Sequence, residues 1–275
     1  MSIQNDSFEI CDSFLQRKGL AKDSYKIIFA MIAGSQCYNF ALENSDNDYF
    51  CVYQVNTKLL LSMQELRPPQ IVTRDEKTDV DHPDITCYEI GKFVEALQSG
   101  SPVIMQSLFC RDELTYQTDE WKRIKQHAHL MLTAQTVRAY IGYARSEVKQ
   151  MMGKGKYDYN KFAYHAYRLV FETERIASGS CPIIWFETGS EEHTRILDIR
   201  TNTFGVQARN EMLRELQERL NKLDKMDHSQ VLKFDKMKPL DARQGGDTVD
   251  TSSNPFYILN DWLVSLRFES IQLPQ

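Results

Sequence analysis

The sequence lacks any apolar run long enough to cross a bilayer. The longest, Ile27 to Ala33, falls far short of the ~20 residues that a spanning helix needs. It also lacks a Cys-x-x-Cys pair. Its six cysteines, at 11, 37, 51, 87, 110 and 181, form no zinc-type cluster with the six dispersed histidines. Thiols scattered in this way read as small buried apolar side chains in a reducing compartment rather than as disulfides. Proline and glycine are sparse, 8 and 12 in 275 residues, and there is no internal repeat or coiled-coil heptad. Collagen-like, linker-like and fibrous classes are therefore excluded. Base is not in excess either: 33 Lys/Arg against 38 Asp/Glu leave a net charge of −5. That argues against a chain-wide basic surface for nucleic acid, but not against a local one. The polar, acidic start Met1-Ser2-Ile3-Gln4-Asn5-Asp6 is unlike a secretory signal. The expectation is a cytoplasmic protein with no membrane partner, the nucleus remaining open.

What is present is ordinary in amount and uneven in placement. Apolar residues make up 42% and charged residues 26%, enough for a core of one or two domains without metal or disulfide staples. From Ala41 to Glu120 fifteen acidic residues face six basic ones. From Arg138 to Arg175 eight basic residues face four acidic ones. Such asymmetry fits two solvated surfaces, or an acidic metal site opposed to a basic phosphate site.

Along the chain, Phe8, Cys11, Phe14 and Leu15 have helical spacing, and Ile27 to Ala33 reads as a buried central strand. A short helix is expected over Gln36 to Leu42, a second strand over Asp48 to Val55, and a third beginning near Asp84. Ile90, Phe93, Val94 and Leu97 give a helical stripe that ends at Gly100-Ser101-Pro102. Beyond residue 119 the pattern is mostly helical: Glu120 to Met152, with a break near Thr133 or Gly142, then Tyr159 to Ser178, Val206 to Met226 and Asn254 to Phe268. Short β-rich runs stand at Ile183–Phe186 and Ile196–Ile199. The polar stretch 227–254 reads as a loop. The reading is an α+β protein with a mixed-sheet domain at 1–119 and a mostly helical domain at 120–275.

The chemistry concentrates where Ala33-Gly34-Ser35 is followed by Ser45-Asp46-Asn47-Asp48-Tyr49. Gly34 follows a buried strand, where backbone can approach a ligand without a side chain in the way. Ser35 and the next amides would open a helix, a favourable place for phosphate. Asp46 and Asp48 are two apart on extended chain, so both carboxylates project from one face. Two carboxylates beside a phosphate cradle suit Mg²⁺ shared with a triphosphate. Turn composition explains the same Asn-Ser-Asp-Asn-Asp residues without any site. Lys161, His165 and Arg168, spaced i, i+4, i+7, share a helix face, with Glu172 and Arg175 extending the row. Tyr157, Tyr159, Tyr164 and Tyr167 suit either base stacking or the core.

Gly34-Ser35 followed by Ser45-Asp46-x-Asp48 resembles the signature of the DNA polymerase beta superfamily of nucleotidyltransferases. Asp84 to Phe93, Gly100-Ser101-Pro102 and Lys161-x-x-x-His165-Ala166-x-Arg168-Leu169 are most similar to predicted nucleotidyltransferases linked to RNA repair. Ser101 and Gln106 depart from that pattern, which tends to Asn and Glu there. The resemblance implies a polymerase-beta-like core. It implies Asp46 and Asp48 as ligands of catalytic Mg²⁺ or Mn²⁺ and Asp84 as a third carboxylate, with Asp79 and Asp81 close enough to serve instead. It also implies Gly34, Ser35, Lys161, His165 and Arg168 as the holders of an NTP such as ATP, or of the acceptor's phosphate. The implied reaction moves a nucleoside monophosphate to a hydroxyl, on a tRNA-like RNA end. A small-molecule or protein acceptor, or a nucleotide-binding module without turnover, remain as alternatives.

Overall fold

A computed structural model describes residues 3–63, 68–74, 83–153, 159–239 and 251–272. The chain starts with helix α1 (Ile3–Arg17). Strand β1 (Tyr25–Ala33), a single helical turn α2 (Gly34–Cys37) and strand β2 (Asp48–Val55) follow. Next come α3 (Thr57–Leu61), β3 (Ile71–Thr73), β4 (Ile85–Glu89), α4 (Ile90–Gln98), α5 (Pro102–Phe109) and β5 (Thr115–Gln117). The later elements among the described residues are helices: α6 (Asp119–Lys125), α7 (Ala134–Met151), α8 (Tyr159–Ala177), α9 (Glu191–Thr201), α10 (Val206–Asp224) and α11 (Pro255–Gln272). The protein is α+β, and its five-stranded sheet has the order β3-β4-β2-β1-β5. β1 and β2 are antiparallel, and so are β1 and β5 and β3 and β4, while β2 and β4 run parallel.

Alternation along β2 sorts its side chains onto the two faces of the sheet. Tyr49, Cys51, Tyr53 and Val55 pack with Cys11, Phe14 and Leu15 of α1. Phe50 and Val52 face the opposite way, into a larger core that continues through α4 to α11. Phe29 stacks on Trp121 at 4.1 Å, fastening α6 to the sheet. α11 returns to this part of the molecule. Gln54 donates to the Leu266 carbonyl at 2.7 Å, and Arg267 pairs with the buried Glu89 at 2.7 Å. Five cysteines are buried and all six are free thiols. Those of Cys11, Cys51 and Cys87 lie within 4.8 Å of one another under α1, and Cys37 is 3.4 Å from Cys110.

The structure departs from the sequence reading in several places. α2 is one turn at 34–37, not a helix over 36–42. Gly100-Ser101-Pro102 stops α4 and also starts α5, with Pro102 at its first turn, where a missing N–H costs nothing. The break expected in 120–152 near Thr133 or Gly142 does fall at Thr133, whose side chain forms a reciprocal cap with Thr136, while Gly142 lies inside α7. Ile183–Phe186 forms no strand, and Ile196–Ile199 belongs to α9, where Ile196 and Ile199 are buried one turn apart. Of the expected loop at 227–254, residues 240–250 lie outside the described set. Before them, the Phe234 and Asp235 carbonyls accept from the first amides of α7 at 3.0 and 2.8 Å.

Candidate active site

The acidic wall follows from strand register. Asp48 opens β2 opposite Ala33, the last residue of β1. Asp84 directly precedes β4, and its carbonyl accepts from the Tyr49 N–H at 2.7 Å. Three neighbouring strands therefore bring Gly34, Asp48 and Asp84 to one edge of the sheet. Gly34 has φ +61, the left-handed region, and a Cβ there would overlap Oδ2 of Asp48. The Asp48 carboxylate thus lies directly against the Gly34 backbone. Asp46 is exposed on the turn before β2. That turn is shaped by the Leu42 N–H donating to Ser45 Oγ at 2.8 Å. Asp84 is exposed too, and Arg74 Nη1 pairs with it at 2.8 Å.

These groups line a cleft of about 610 Å³. Gly34, Ser35, Asp46, Asp48 and Asp84 form one side, and Asn160, Lys161, Tyr164, His165 and Arg200 approach from α8 and α9. Burial, and then the charges of Asp84 and Asp46, push the Asp48 carboxyl above its usual range, with Lys161 opposing them. Burial likewise lowers His165 to about 3, helped by Arg168, Lys161 and Arg200. His165 is therefore a neutral imidazole at pH 7, and it would meet a phosphate through a hydrogen bond rather than an ion pair.

Of the predicted binding residues, Arg168 does not reach the cleft. It is buried, pairs with Glu172 of its own helix at 2.6 Å, and stacks over Tyr38 at 4.1 Å. The row Lys161, His165, Arg168 runs from exposed through half-buried to buried as α8 passes from the cleft into the core. The helix expected to open at Ser35 is a single turn that carries little macrodipole, although its backbone amides remain. Asp79, Asp81 and Tyr157 lie outside the described residues. Arg200 was missed by the sequence reading. Its guanidinium sits over Tyr164 at 4.6 Å and donates to the Phe40 carbonyl at 2.6 Å and to Ser45 Oγ at 3.4 Å. No local motif marks it, because it enters the cleft only through the packing of α9. A second recess, of about 410 Å³ beside α10, gathers none of the predicted residues, and its Arg195 and Glu215 are already paired.

Among the described residues, only the Cys11, Cys51 and Cys87 thiols bring three metal-capable atoms within 4.8 Å of one another, so the cleft carboxylates are more widely spread. An open set of hard oxygens still fits Mg²⁺ or Mn²⁺, which bind through one or two carboxylates and take further oxygens from phosphate and water. The crowding of negative charge at Asp48 is what such an ion would relieve.

The cleft thus sets a mixed sheet with a Gly-Ser turn and stepped carboxylates against cations from a helical layer. The chain belongs to the RNA repair pathway DNA polymerase beta family, RlaP, whose model matches residues 12–260. Membership supports a nucleotidyltransferase-type function and an association with RNA repair. No curated protein matches the chain. No helix among the described residues is long and apolar enough to cross a membrane.

Proposed function

We propose that the protein transfers a nucleoside monophosphate from an NTP to the hydroxyl of an RNA end, tRNA-like in kind, releasing pyrophosphate in the cytoplasm. The observation that carries this reading is the single cleft holding Gly34, Ser35, Asp46, Asp48 and Asp84 opposite Lys161 and Arg200. Residues 1–119 would supply the carboxylates and residues 120–275 the cations. Asp46, Asp48 and Asp84 would hold Mg²⁺ or Mn²⁺, which supplies Lewis-acid stabilisation of charge on the α-phosphate and on the departing pyrophosphate. Gly34 leaves room for triphosphate oxygens beside the backbone, and Ser35 offers a hydroxyl. Lys161 and Arg200 balance phosphate charge, and neutral His165 orients it. Asp84, at the exposed end, would take the acceptor's proton as the acceptor oxygen bonds to the α-phosphorus and the bond to the β-phosphate oxygen breaks.

The test incubates the full chain with each labelled NTP, Mg²⁺ or Mn²⁺ and a mixed RNA pool, beside an Asp46→Ala/Asp48→Ala control. Label on RNA that disappears in the control supports the reading. Label that survives the control overturns the metal assignment. Label on protein or small molecules instead moves the acceptor, and tight NTP binding without transfer points to a binding module.

A further inference from the structure

α2 is four residues long; its first residue, Gly34, is left-handed at φ +61, and so is Asn39, two residues past its end, at φ +66. A single turn has almost no stability of its own, since helix nucleation is unfavourable. Tertiary contacts must therefore keep Gly34 and Ser35 in place: the Asn39 side chain donates to the Phe186 carbonyl at 2.9 Å and to Thr188 Oγ1 at 3.0 Å, and a second group of contacts meets at Tyr38, the residue that ends the turn. Its hydroxyl donates to Gln106 of α5, its carbonyl accepts from the Phe186 N–H at 3.2 Å, and the Arg168 guanidinium lies 4.1 Å from its ring centre. Arg168 comes from α8, the helix that brings Lys161 and His165 to the opposite wall.

The Arg168–Glu172 pair is a poor device for stability alone. Both side chains are buried, and Arg168 Nε has no hydrogen-bond partner. Buried charges left partly unsatisfied are often no better than apolar residues of similar size. What the planar guanidinium adds, and an aliphatic side chain does not, is a flat cation fixed on an aromatic face.

We propose that Arg168 is a positioning residue that clamps Tyr38 and so sets where Gly34 and Ser35 stand relative to Lys161 and His165. The nucleotide part of this inference rests on the proposed function, whereas the clamp itself does not. One helix thus holds both sides of the nucleotide site in a fixed relation.

The test compares the wild-type full chain with Arg168→Lys and with Arg168→Met/Glu172→Met, which removes both charges and leaves no orphaned carboxylate. The first readout is the rate at which Cys37 is alkylated by iodoacetamide, with Cys51, buried on the other face of the sheet, as reference. The expected result is about tenfold faster labelling of Cys37 in the double variant, with Cys51 unchanged and partial protection in Arg168→Lys. The second readout is KM and kcat for whichever NTP is transferred, with KM expected to rise about tenfold. Wild-type labelling of Cys37 in the double variant, or a parallel rise at Cys51, would overturn the clamp. Selective release of Cys37 with unchanged KM would overturn its link to the nucleotide. If the wild type neither binds nor transfers nucleotide, the proposed function fails and the alkylation result still decides the clamp.

Discussion

On one wall of the cleft the key groups stand within a residue or two of a strand end. On the other, the cations ride on long side chains of α8 and α9. Register dictates the first wall: once β1, β2 and β4 pair, Asp48 and Asp84 have nowhere else to be. The second wall is set by how deeply each turn of α8 sinks into the core. On the proposed function, the first wall fixes where bonds change and the second accepts phosphate.

Substituting one residue at a time should separate the two walls. Asp48→Asn has the largest expected effect, a fall in transfer on the order of 10²–10³-fold. A carboxyl whose pKa is raised by folding makes its own ionisation costly at neutral pH. The metal-free variant should therefore melt at or above the wild-type temperature by calorimetry, and a lower melting temperature would contradict the crowding. Lys161→Met should raise KM for NTP about tenfold, the scale of a lost charge-assisted hydrogen bond, and should lower the melting temperature slightly, because Lys161 offsets the negative charge crowded at Asp48. Wild-type KM would remove it from the phosphate wall. Gly34→Ala should cost about 1–2 kcal/mol in urea unfolding, from the left-handed backbone alone, and should displace the Asp48 carboxylate as well.

The smallest effect concerns acid. His165 titrates near 6.5 when unfolded but near 3 when folded, so between those values the unfolded chain binds the extra proton. Its stabilising contribution is complete above pH 6.5 and is lost as pH falls, by roughly 1–2 kcal/mol at pH 5. His165→Gln should flatten that part of the stability–pH curve, and equal slopes would show that the imidazole is not held neutral.

Legibility followed the same division. Gly34, Ser35, Asp46 and Asp48 sit close in sequence, and the long strands β1 and β2 are near-continuous apolar runs that are clear enough to place them. β3 and β5, three residues each, are too short for alternation to register. Ile196–Ile199 looked like strand because isoleucine favours strands, until packing in α9 overrode the propensity. The i, i+4, i+7 spacing correctly put Lys161, His165 and Arg168 on one face. Spacing carries no information on how that face tilts, and so Arg168 was assigned to solvent and phosphate rather than to the core. Arg200 depended wholly on tertiary packing.

The Arg267–Glu89 pair links the end of the chain to its first half, and this bears on synthesis. While a ribosome is still extending the chain, every strand of the sheet can emerge before α11 exists. Until then the carboxylate of Glu89, at the end of β4, lacks its cationic partner, and Gln54 of β2 lacks the Leu266 carbonyl. Strands β2 and β4 therefore gain these two contacts only after α11 has been made.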